Sequence, residues 1–162
     1  MIRVGIGYDS HRFAAGRPLV LGGVRIPHEL GLTGHSDADA VVHALIDALL
    51  GAAGLGDIGT LYPDTDPTWK DAVSLVLLRQ VVTRLQDAGW RPLQCDITVI
   101  AQQPKLAPHA PAIRESLAGA RGVAAGAVGF KAKTNEGMGF IGRGEGVAVM
   151  AVATLGPRHA DR

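Results

Sequence analysis

The sequence lacks several features that mark particular classes of protein. Cys95 is its only cysteine, so no internal disulfide is possible, and we predict a buried, inert thiol in a reducing compartment. Basic and acidic side chains nearly cancel, 16 against 15, and no run of lysine and arginine could neutralise a row of nucleic-acid phosphates. We therefore expect no nucleic-acid partner.

Long apolar segments are also missing. The two most apolar stretches, 44–55 and 147–155, are too short to span a bilayer and are interrupted by polar residues or glycine. The N-terminal residues contain no basic region followed by an apolar block, so no secretion signal is expected. We therefore predict a cytoplasmic protein with no membrane partner.

What is present predicts one domain with one core, because the chain has 162 residues of which 47% are hydrophobic. Apolar periodicity predicts the order strand, hairpin, helix, helix, strand, helix, strand, strand. The predicted segments are strands at 2–8, 94–101, 128–133 and 147–155, a hairpin at 18–27, and helices that begin at Ser36 or Asp37, at about Lys70 and at Pro108. We predict the α+β class, with a mixed β-sheet and helices packed on one face over 1–155, followed by a polar tail at 156–162.

Asp9 and His11 lie two residues apart at the end of the first predicted strand, so both side chains point to one face. The pair could supply two of the three protein ligands of an open Zn²⁺ site. The alternative interpretation is a surface hydrogen bond between the two side chains. His43, among apolar residues of the first helix, is a candidate third ligand or a core histidine. Such a site carries a net charge of +1 and one open position, which attracts an anionic oxygen such as that of phosphate.

A second histidine cluster precedes the first helix. His35, Asp39 and His43 recur every four residues, which predicts one shared helical edge, although His35 and Asp37 could instead serve the helix start. The pair Gly5-x-Gly7 does not complete a dinucleotide fingerprint, because Ser10 stands where a third glycine is needed.

Three loops carry further polar residues. The acidic loop 56–68 predicts either a solvated surface or a cover that binds sugar or polyol hydroxyls. Residues 101–108 leave a strand and enter a helix, so they could cradle a base or a phosphate or simply connect the two elements. In the glycine-rich segment 131–146, Lys133, Thr134 and Arg143 suit phosphate oxygens, and Glu136 could hold a second, harder cation such as Mg²⁺.

Five separated motifs in one order resemble the 2-C-methyl-D-erythritol 2,4-cyclodiphosphate synthases, from about Arg3 to Leu155. The motifs are Gly5-x-Gly7-x-Asp9-x-His11, Gly34-His35-Ser36-Asp37-x-Asp39, Gly56-Asp57-Ile58-Gly59, Tyr62-Pro63-Asp64-Thr65-Asp66-Pro67 and Gly142-Arg143-Gly144-Glu145-Gly146. The resemblance implies a lyase of non-mevalonate isoprenoid biosynthesis. It would cyclise 4-diphosphocytidyl-2-C-methyl-D-erythritol 2-phosphate to the 2,4-cyclodiphosphate and release CMP, with the substrate's own 2-phosphate as nucleophile.

By the same resemblance, Asp9, His11 and His43 bind Zn²⁺ or a similar divalent cation, and His35 and Thr134 stabilise the transition state. Glu136 contacts Mg²⁺ or Mn²⁺ held with the substrate diphosphate. The implied substrate-binding residues around the metal and the erythritol end are Asp9, His11, His35, Ser36, Asp57, Ile58, Gly59, Tyr62, Pro63, Asp64, Thr65 and Asp66. Those implied toward the cytidine nucleotide and the phosphates are Ala101, Gln102, Gln103, Pro104, Lys105, Leu106, Ala107, Ala132, Lys133, Thr134, Asn135, Glu136, Phe140 and Arg143.

The resemblance also implies a homotrimer with sites between subunits, and a central cavity near Phe140 and Arg143 that accepts isoprenoid diphosphates. The sequence departs from the family at Lys133 and Asn135, where a run of threonines is common before the glutamate. Two other functions fit the residues alone. A metal-dependent phosphoesterase would use the open metal to activate water, and a metal and nucleotide sensor would bind CMP-like ligands without turnover.

Overall fold

The computed structural model describes residues 1–158, and within them the chain forms seven strands and five α-helices. The strands are β1 (Arg3–Ala14), β2 (Leu19–Leu21), β3 (Val24–Ile26), β4 (Gly31–Leu32), β5 (Trp90–Ile100), β6 (Val128–Lys133) and β7 (Gly146–Pro157). The helices are α1 (Ala40–Ala53), α2 (Ile58–Leu61), α3 (Ser74–Asp87), α4 (Ala110–Arg121) and α5 (Gly139–Gly142).

Five strands form the main sheet in the order β4-β1-β7-β5-β6. The β5–β6 pair is parallel, because α4 crosses over between the two strands, and the other pairs are antiparallel. The predicted hairpin is confirmed as the separate β2–β3 pair, with Gly22 and Gly23 at positive φ in its turn. The mixed sheet of an α+β domain is therefore confirmed.

The close packing of α1 on β1 determines where the site can form. A Cβ atom on Gly5 would lie 2.0 Å from the carbonyl oxygen of Ala48, and one on Gly7 would lie 1.9 Å from that of Ala44. Since neither distance is possible for a real side chain, the two glycines allow the helix backbone to lie directly on the strand. The contact brings His43, next to Ala44, over the end of β1.

The opposite face of the sheet is apolar and exposed. Side chains at alternate positions of a strand point to opposite faces, so the β1 residues between Gly5, Gly7 and Asp9 face away from α1. The large apolar side chains exposed on β1 and β7 are Val4 (65%), Ile6 (66%), Tyr8 (56%), Met150 (44%) and Val152 (42%). A contiguous apolar surface of this kind marks an interaction site.

Several boundaries differ from the sequence prediction. β1 continues past Tyr8 to Ala14, because its pairing with β7 carries the polar segment from Asp9 to Arg12 into the sheet. The first helix begins at Ala40 and is capped by Asp39, whose carboxylate accepts the Val42 N–H, so the prediction of a cap at Ser36 or Asp37 is wrong.

The C-terminal strand extends through Gly156 and Pro157, which the sequence assigned to the polar tail. The Arg158 N–H then donates to the Gly89 carbonyl, and residues 159–162 of that predicted tail lie outside the described residues.

Cys95 is buried as predicted. Among the described residues, no helix combines the length and apolarity needed to cross a membrane, and the cytoplasmic location stays a prediction.

Candidate active site

Asp9, His11 and His43 converge at the junction of β1 and α1, as the sequence predicts. Asp9 Oδ2 lies 2.8 Å from His11 Nε2 and 3.1 Å from His43 Nδ1, and the two nitrogen atoms are 3.3 Å apart. Tetrahedral zinc with bonds of about 2.0–2.1 Å needs ligand atoms roughly 3.3 Å from one another. The three side chains form the one group within residues 1–158 whose geometry could hold a metal ion.

Hydrogen bonds on the outer side of each ring determine which nitrogen faces this centre with a lone pair. His11 Nδ1 lies 2.6 Å from the Thr33 carbonyl oxygen, which can only accept, so Nδ1 carries the proton. The Ser74 hydroxyl donates to Asp37, so it accepts from His43 Nε2 at 2.9 Å. When both rings are neutral, each therefore directs an unprotonated nitrogen at Asp9, and a divalent cation could bind these three acceptors together.

When no metal is bound, protons on the histidine rings can form hydrogen bonds to the Asp9 carboxylate. Burial alone would raise the pKa of Asp9, but hydrogen bonds from His11 and His43 outweigh it and lower that pKa to about 2. Burial tends to lower the pKa of His11, yet the hydrogen bond and charge of Asp9 raise it overall. A metal must displace the proton held on His11, so metal binding should weaken as the pH falls.

We call the cavity beside these ligands the histidine pocket, and its volume is about 400 Å³. Its lining combines polar and apolar side chains from several elements: His11, Gly34, His35, Ser36, His43, Ile58, Gly59, Tyr62, Pro63, Asp64, Trp69 and Leu77. Most of the residues implied for the metal and the erythritol end thus share one cavity. Trp69 and Leu77 were not predicted as site residues, and Gly34 was named only as part of a motif.

Two residues of this pocket have partners that set their orientation. His35 Nε2 lies 3.0 Å from the carbonyl oxygen of Asp66, so it donates there and leaves Nδ1 unprotonated when the ring is neutral. The Ser36 hydroxyl lies 3.1 Å from His43 Nε2 and accepts the Ala38 N–H, so it supports the ring of His43 as well as lining the cavity.

The predicted helical edge of His35, Asp39 and His43 is wrong, because His35 precedes the helix and Asp39 is its N-cap. The buried Asp39 carboxylate accepts N–H groups of Gly22 and Gly23 in the hairpin as well as Val42. Full burial raises the pKa of Asp39 to about 6 despite these donors. Its contacts join the hairpin to α1, away from the pocket lining.

In the acidic loop, three of the implied substrate-binding residues do not line the histidine pocket. Asp57 caps α2 through the Thr60 N–H, and Asp66 caps the short 3₁₀ helix after it through the Thr68 N–H. Thr65 also lies outside the lining. Tyr62 does line it and packs edge-on against Trp69, with ring centroids 4.8 Å apart.

A second cavity of about 310 Å³, which we call the lysine cleft, lies where β5 and β6 end. Its lining joins the two connecting loops: Ala101, Gln102, Pro104, Lys105, Leu106, Ala107, Pro108, Ala132, Lys133 and Thr134. The residues implied for the cytidine nucleotide therefore come together, except Gln103, which lines a neighbouring cavity with Arg143.

The structure does not bring the two halves of the predicted site together within one chain. The lysine cleft follows β5 and β6, which lie two and three strands from β1, or about 10 and 14 Å across the sheet. Thr134 lines the lysine cleft, whereas His35 lines the histidine pocket. Glu136 is exposed at positive φ in the turn after β6 and is not part of the metal-binding group.

The remaining implied residues lie in the segment between β6 and β7, which contains α5. The Asn135 amide donates to the Met138 carbonyl at 2.9 Å, which stabilises the turn. Phe140 is 43% exposed and lines a small cavity that it shares with His11. Arg143 is exposed and pairs with Glu145 at 2.8 Å, so its charge is partly compensated within the loop.

Comparisons with known proteins agree with one another. A family model described as the YgbB family matches residues 2–156. The 2-C-methyl-D-erythritol 2,4-cyclodiphosphate synthase of Symbiobacterium thermophilum is 59% identical over 155 residues, 96% of this chain and 99% of that protein.

Solved structures give the same result. A 2C-methyl-D-erythritol-2,4-cyclodiphosphate synthase in a CDP-bound form is 43% identical, with a TM-score of 0.87 over 95% of this chain and 100% of that one. The bifunctional IspDF of Campylobacter jejuni is 45% identical, with a TM-score of 0.93 over 96% of this chain. The present chain spans 42% of the length of that bifunctional protein.

Proposed function

The chain belongs to the YgbB family of 2-C-methyl-D-erythritol 2,4-cyclodiphosphate synthases, and we propose that its two cavities hold the two ends of one substrate molecule. The activity is the cyclisation of 4-diphosphocytidyl-2-C-methyl-D-erythritol 2-phosphate with release of CMP, a lyase step of non-mevalonate isoprenoid biosynthesis. Neither hydrolysis nor ligand sensing without turnover is favoured by these relatives.

In this reaction an oxygen of the 2-phosphate bonds to the β-phosphorus of the diphosphate. The bond from that phosphorus to the bridging oxygen breaks, and the oxygen leaves with CMP. Because nucleophile and leaving group belong to one molecule, the protein must mainly hold them in line and neutralise crowded negative charge. The hydrogen-bond donors that line the two cavities, together with the cations proposed below, suit that task.

We propose that Asp9, His11 and His43 hold Zn²⁺ or a similar divalent cation. The observation that carries this proposal is the convergence of one carboxylate oxygen and two ring nitrogens within 3.3 Å of one another. A bound cation would act as a Lewis acid toward phosphate oxygens. Ser74, Asp37 and the Thr33 carbonyl fix the ring orientations from outside.

We propose that His35 and Thr134 stabilise the transition state from opposite sides of the substrate. Lys133 next to Thr134 adds positive charge, and Glu136 would contact Mg²⁺ or Mn²⁺ carried by the diphosphate. The loops on the lysine cleft would hold the cytidine, and Ser36, Gly59 and Asp64 would hold the erythritol end. Asp57 would act there through the helix cap that positions Gly59.

We further propose a homotrimer in which the histidine pocket of one subunit faces the lysine cleft of its neighbour. Two features support this arrangement: the separation of the two cavities across the sheet, and the exposed apolar face formed by β1 and β7. Copies of the chain packed through that face would bury Ile6 and Val152. An isoprenoid diphosphate near Phe140 and Arg143, on the axis of such a trimer, and the cytoplasmic location remain proposals.

Phosphorus NMR tests the activity directly. Purified protein with Zn²⁺ and Mg²⁺ should convert the cytidine diphosphate-linked substrate to a cyclic diphosphate and CMP in equal amounts. Free phosphate or an open-chain erythritol phosphate as the main product would instead indicate hydrolysis and contradict the assignment. Binding of CMP with no conversion would indicate the sensor.

A further inference from the structure

A third cavity lies at the end of the sheet farthest from the proposed active site. We call it the arginine cleft, and its volume is about 580 Å³. Its lining contains Arg91 at the start of β5, Arg121 at the end of α4 and Arg158 after β7, and no carboxylate side chain among the described residues. Residues 91 and 101 are separated by most of β5, a distance of roughly 30 Å.

Arg121 is an unusual member of this lining, because its side chain is only 2% exposed. Its Nη1 donates to the sulfur of Cys95 at 2.8 Å, whereas Nε and Nη2 have no hydrogen-bond partner within residues 1–158. A buried guanidinium is normally paired, since its five N–H groups and its charge lose their water. Burial accordingly lowers the pKa of Arg121.

The Cys95 thiol does not supply the missing negative charge. Burial raises its pKa, so the sulfur stays protonated and neutral beside Arg121. The backbone N–H groups near the cleft are also engaged, because those of Gly122 and Val123 donate to carbonyls of α4. Among residues 1–158 the cleft therefore concentrates positive charge, and its lining includes Arg121, whose Nε and Nη2 are buried and unpaired.

We propose that the arginine cleft binds a compact phosphate-class oxyanion, with Arg121 as the buried anchor and Arg91 and Arg158 at the exposed rim. Planar guanidinium groups bind tetrahedral oxyanions through paired N–H donors, and Nε and Nη2 are the adjacent donors of Arg121 that lack a partner among residues 1–158. The anion could be free phosphate or diphosphate, or the phosphate group of a larger molecule.

The test is a titration of the full-length ¹⁵N-labelled protein, read at the backbone amides of Leu93, Gly122 and Val123. Inorganic phosphate, diphosphate and CMP are added separately. Saturable shifts with the inorganic anions support a small-anion site, and shifts with CMP alone support the phosphate group of a larger ligand. No saturable shift at these amides with any of the three probes would overturn the proposal.

Two variants separate this site from binding elsewhere. Arg121→Met should abolish the saturable shifts, and the surface double variant Arg91→Gln/Arg158→Gln should weaken binding at least about tenfold. Arg79→Gln, an exposed arginine on α3, is the matched control and should change nothing. Unchanged titrations in both cleft variants would contradict the assignment.

Thermal melting provides a second readout in case Arg121→Met alters the structure. Without phosphate, the variant should melt at the same temperature as the parent protein or higher, because it removes an uncompensated buried charge. Added phosphate should then raise the melting temperature of the parent and not of the variant. Equal responses of the two melting temperatures to phosphate would overturn the proposal.

Turnover of substrate should stay within about twofold in all cleft variants, since the cleft is remote from both active-site cavities.

Discussion

The ligands of the histidine pocket are held by partly buried partners, whereas much of the lysine cleft lies open to solvent. Asp9, His11 and His43 each contact one another, and both rings are fixed from behind. Lys133 and Thr134, by contrast, are exposed. The difference teaches that one chain can preorganise the three proposed metal ligands by itself, while the proposed nucleotide end lies open to solvent, as expected if a neighbouring subunit completes it.

The largest expected effect comes from removing a metal ligand. His43→Ala leaves Asp9 and His11 as the only protein donors, so we expect loss of bound zinc and of CMP release. Metal content by mass spectrometry and CMP by chromatography measure the two. His28→Ala, a histidine outside the pocket, should retain both, and full turnover by metal-free His43→Ala would refute the role of the three ligands.

A change in the packing beneath the pocket should have the next largest effect. Gly7→Ala places a Cβ against the Ala44 carbonyl and forces α1 away from β1, so we expect a loss of about 3 kcal/mol or more in the free energy of unfolding. Urea denaturation measures it. Gly51→Ala is the matched control, because its Cβ meets nothing nearer than the Ile6 carbonyl oxygen at 4.0 Å. Equal stability of the two variants would show that Gly7 is not needed for the close packing of α1 on β1.

The comparison also predicts that a substitution in the lysine cleft can lower activity while the bound metal is retained. Thr134→Ala removes one hydroxyl donor, and we expect kcat to fall about 100-fold while the zinc content is unchanged. Steady-state kinetics and metal analysis measure both quantities. Thr83→Ala on the exposed side of α3 should behave as the parent protein. Loss of zinc from Thr134→Ala would mean that the two cavities are not independent.

A smaller effect on metal affinity is expected from residues that hydrogen-bond to the outer side of the histidine rings. Ser74→Ala removes the acceptor that fixes the His43 ring, so we expect roughly tenfold weaker zinc affinity. Competition with a fluorescent chelator measures this affinity. If the affinity is unchanged, Ser36 alone is sufficient to orient the ring.

Particular residues show how far the sequence could predict this arrangement. The spacing of Asp9 and His11 on a strand and the apolar surroundings of His43 indicated a three-residue group, and the structure brings these side chains together in a geometry that could hold a metal ion. Ser74 carried no signal, because its contact with His43 depends on how α3 packs against α1. The acidic residues Asp39, Asp57 and Asp66 looked functional in sequence, yet their carboxylates accept backbone N–H groups at turns or helix starts.

The family motifs were the stronger guide to the substrate, since they assigned both cavities to one reaction. The resemblance implied sites between subunits, but it could not give the separation of the two cavities in one chain, because strand order is a property of the folded sheet. Gly5 and Gly7 illustrate the same limit. Their sequence spacing suggested an incomplete nucleotide motif, and their actual role is the close approach of α1.

Mixing two inactive variants tests most directly whether one site uses two subunits. His43→Ala lacks a working histidine pocket and Thr134→Ala has an impaired lysine cleft. In randomly mixed trimers about a quarter of the sites should combine two intact halves. After denaturation and joint refolding at equal concentration, we expect CMP release at about that fraction of the parent rate. Activity no higher than the average of the separate variants would contradict a site shared between subunits.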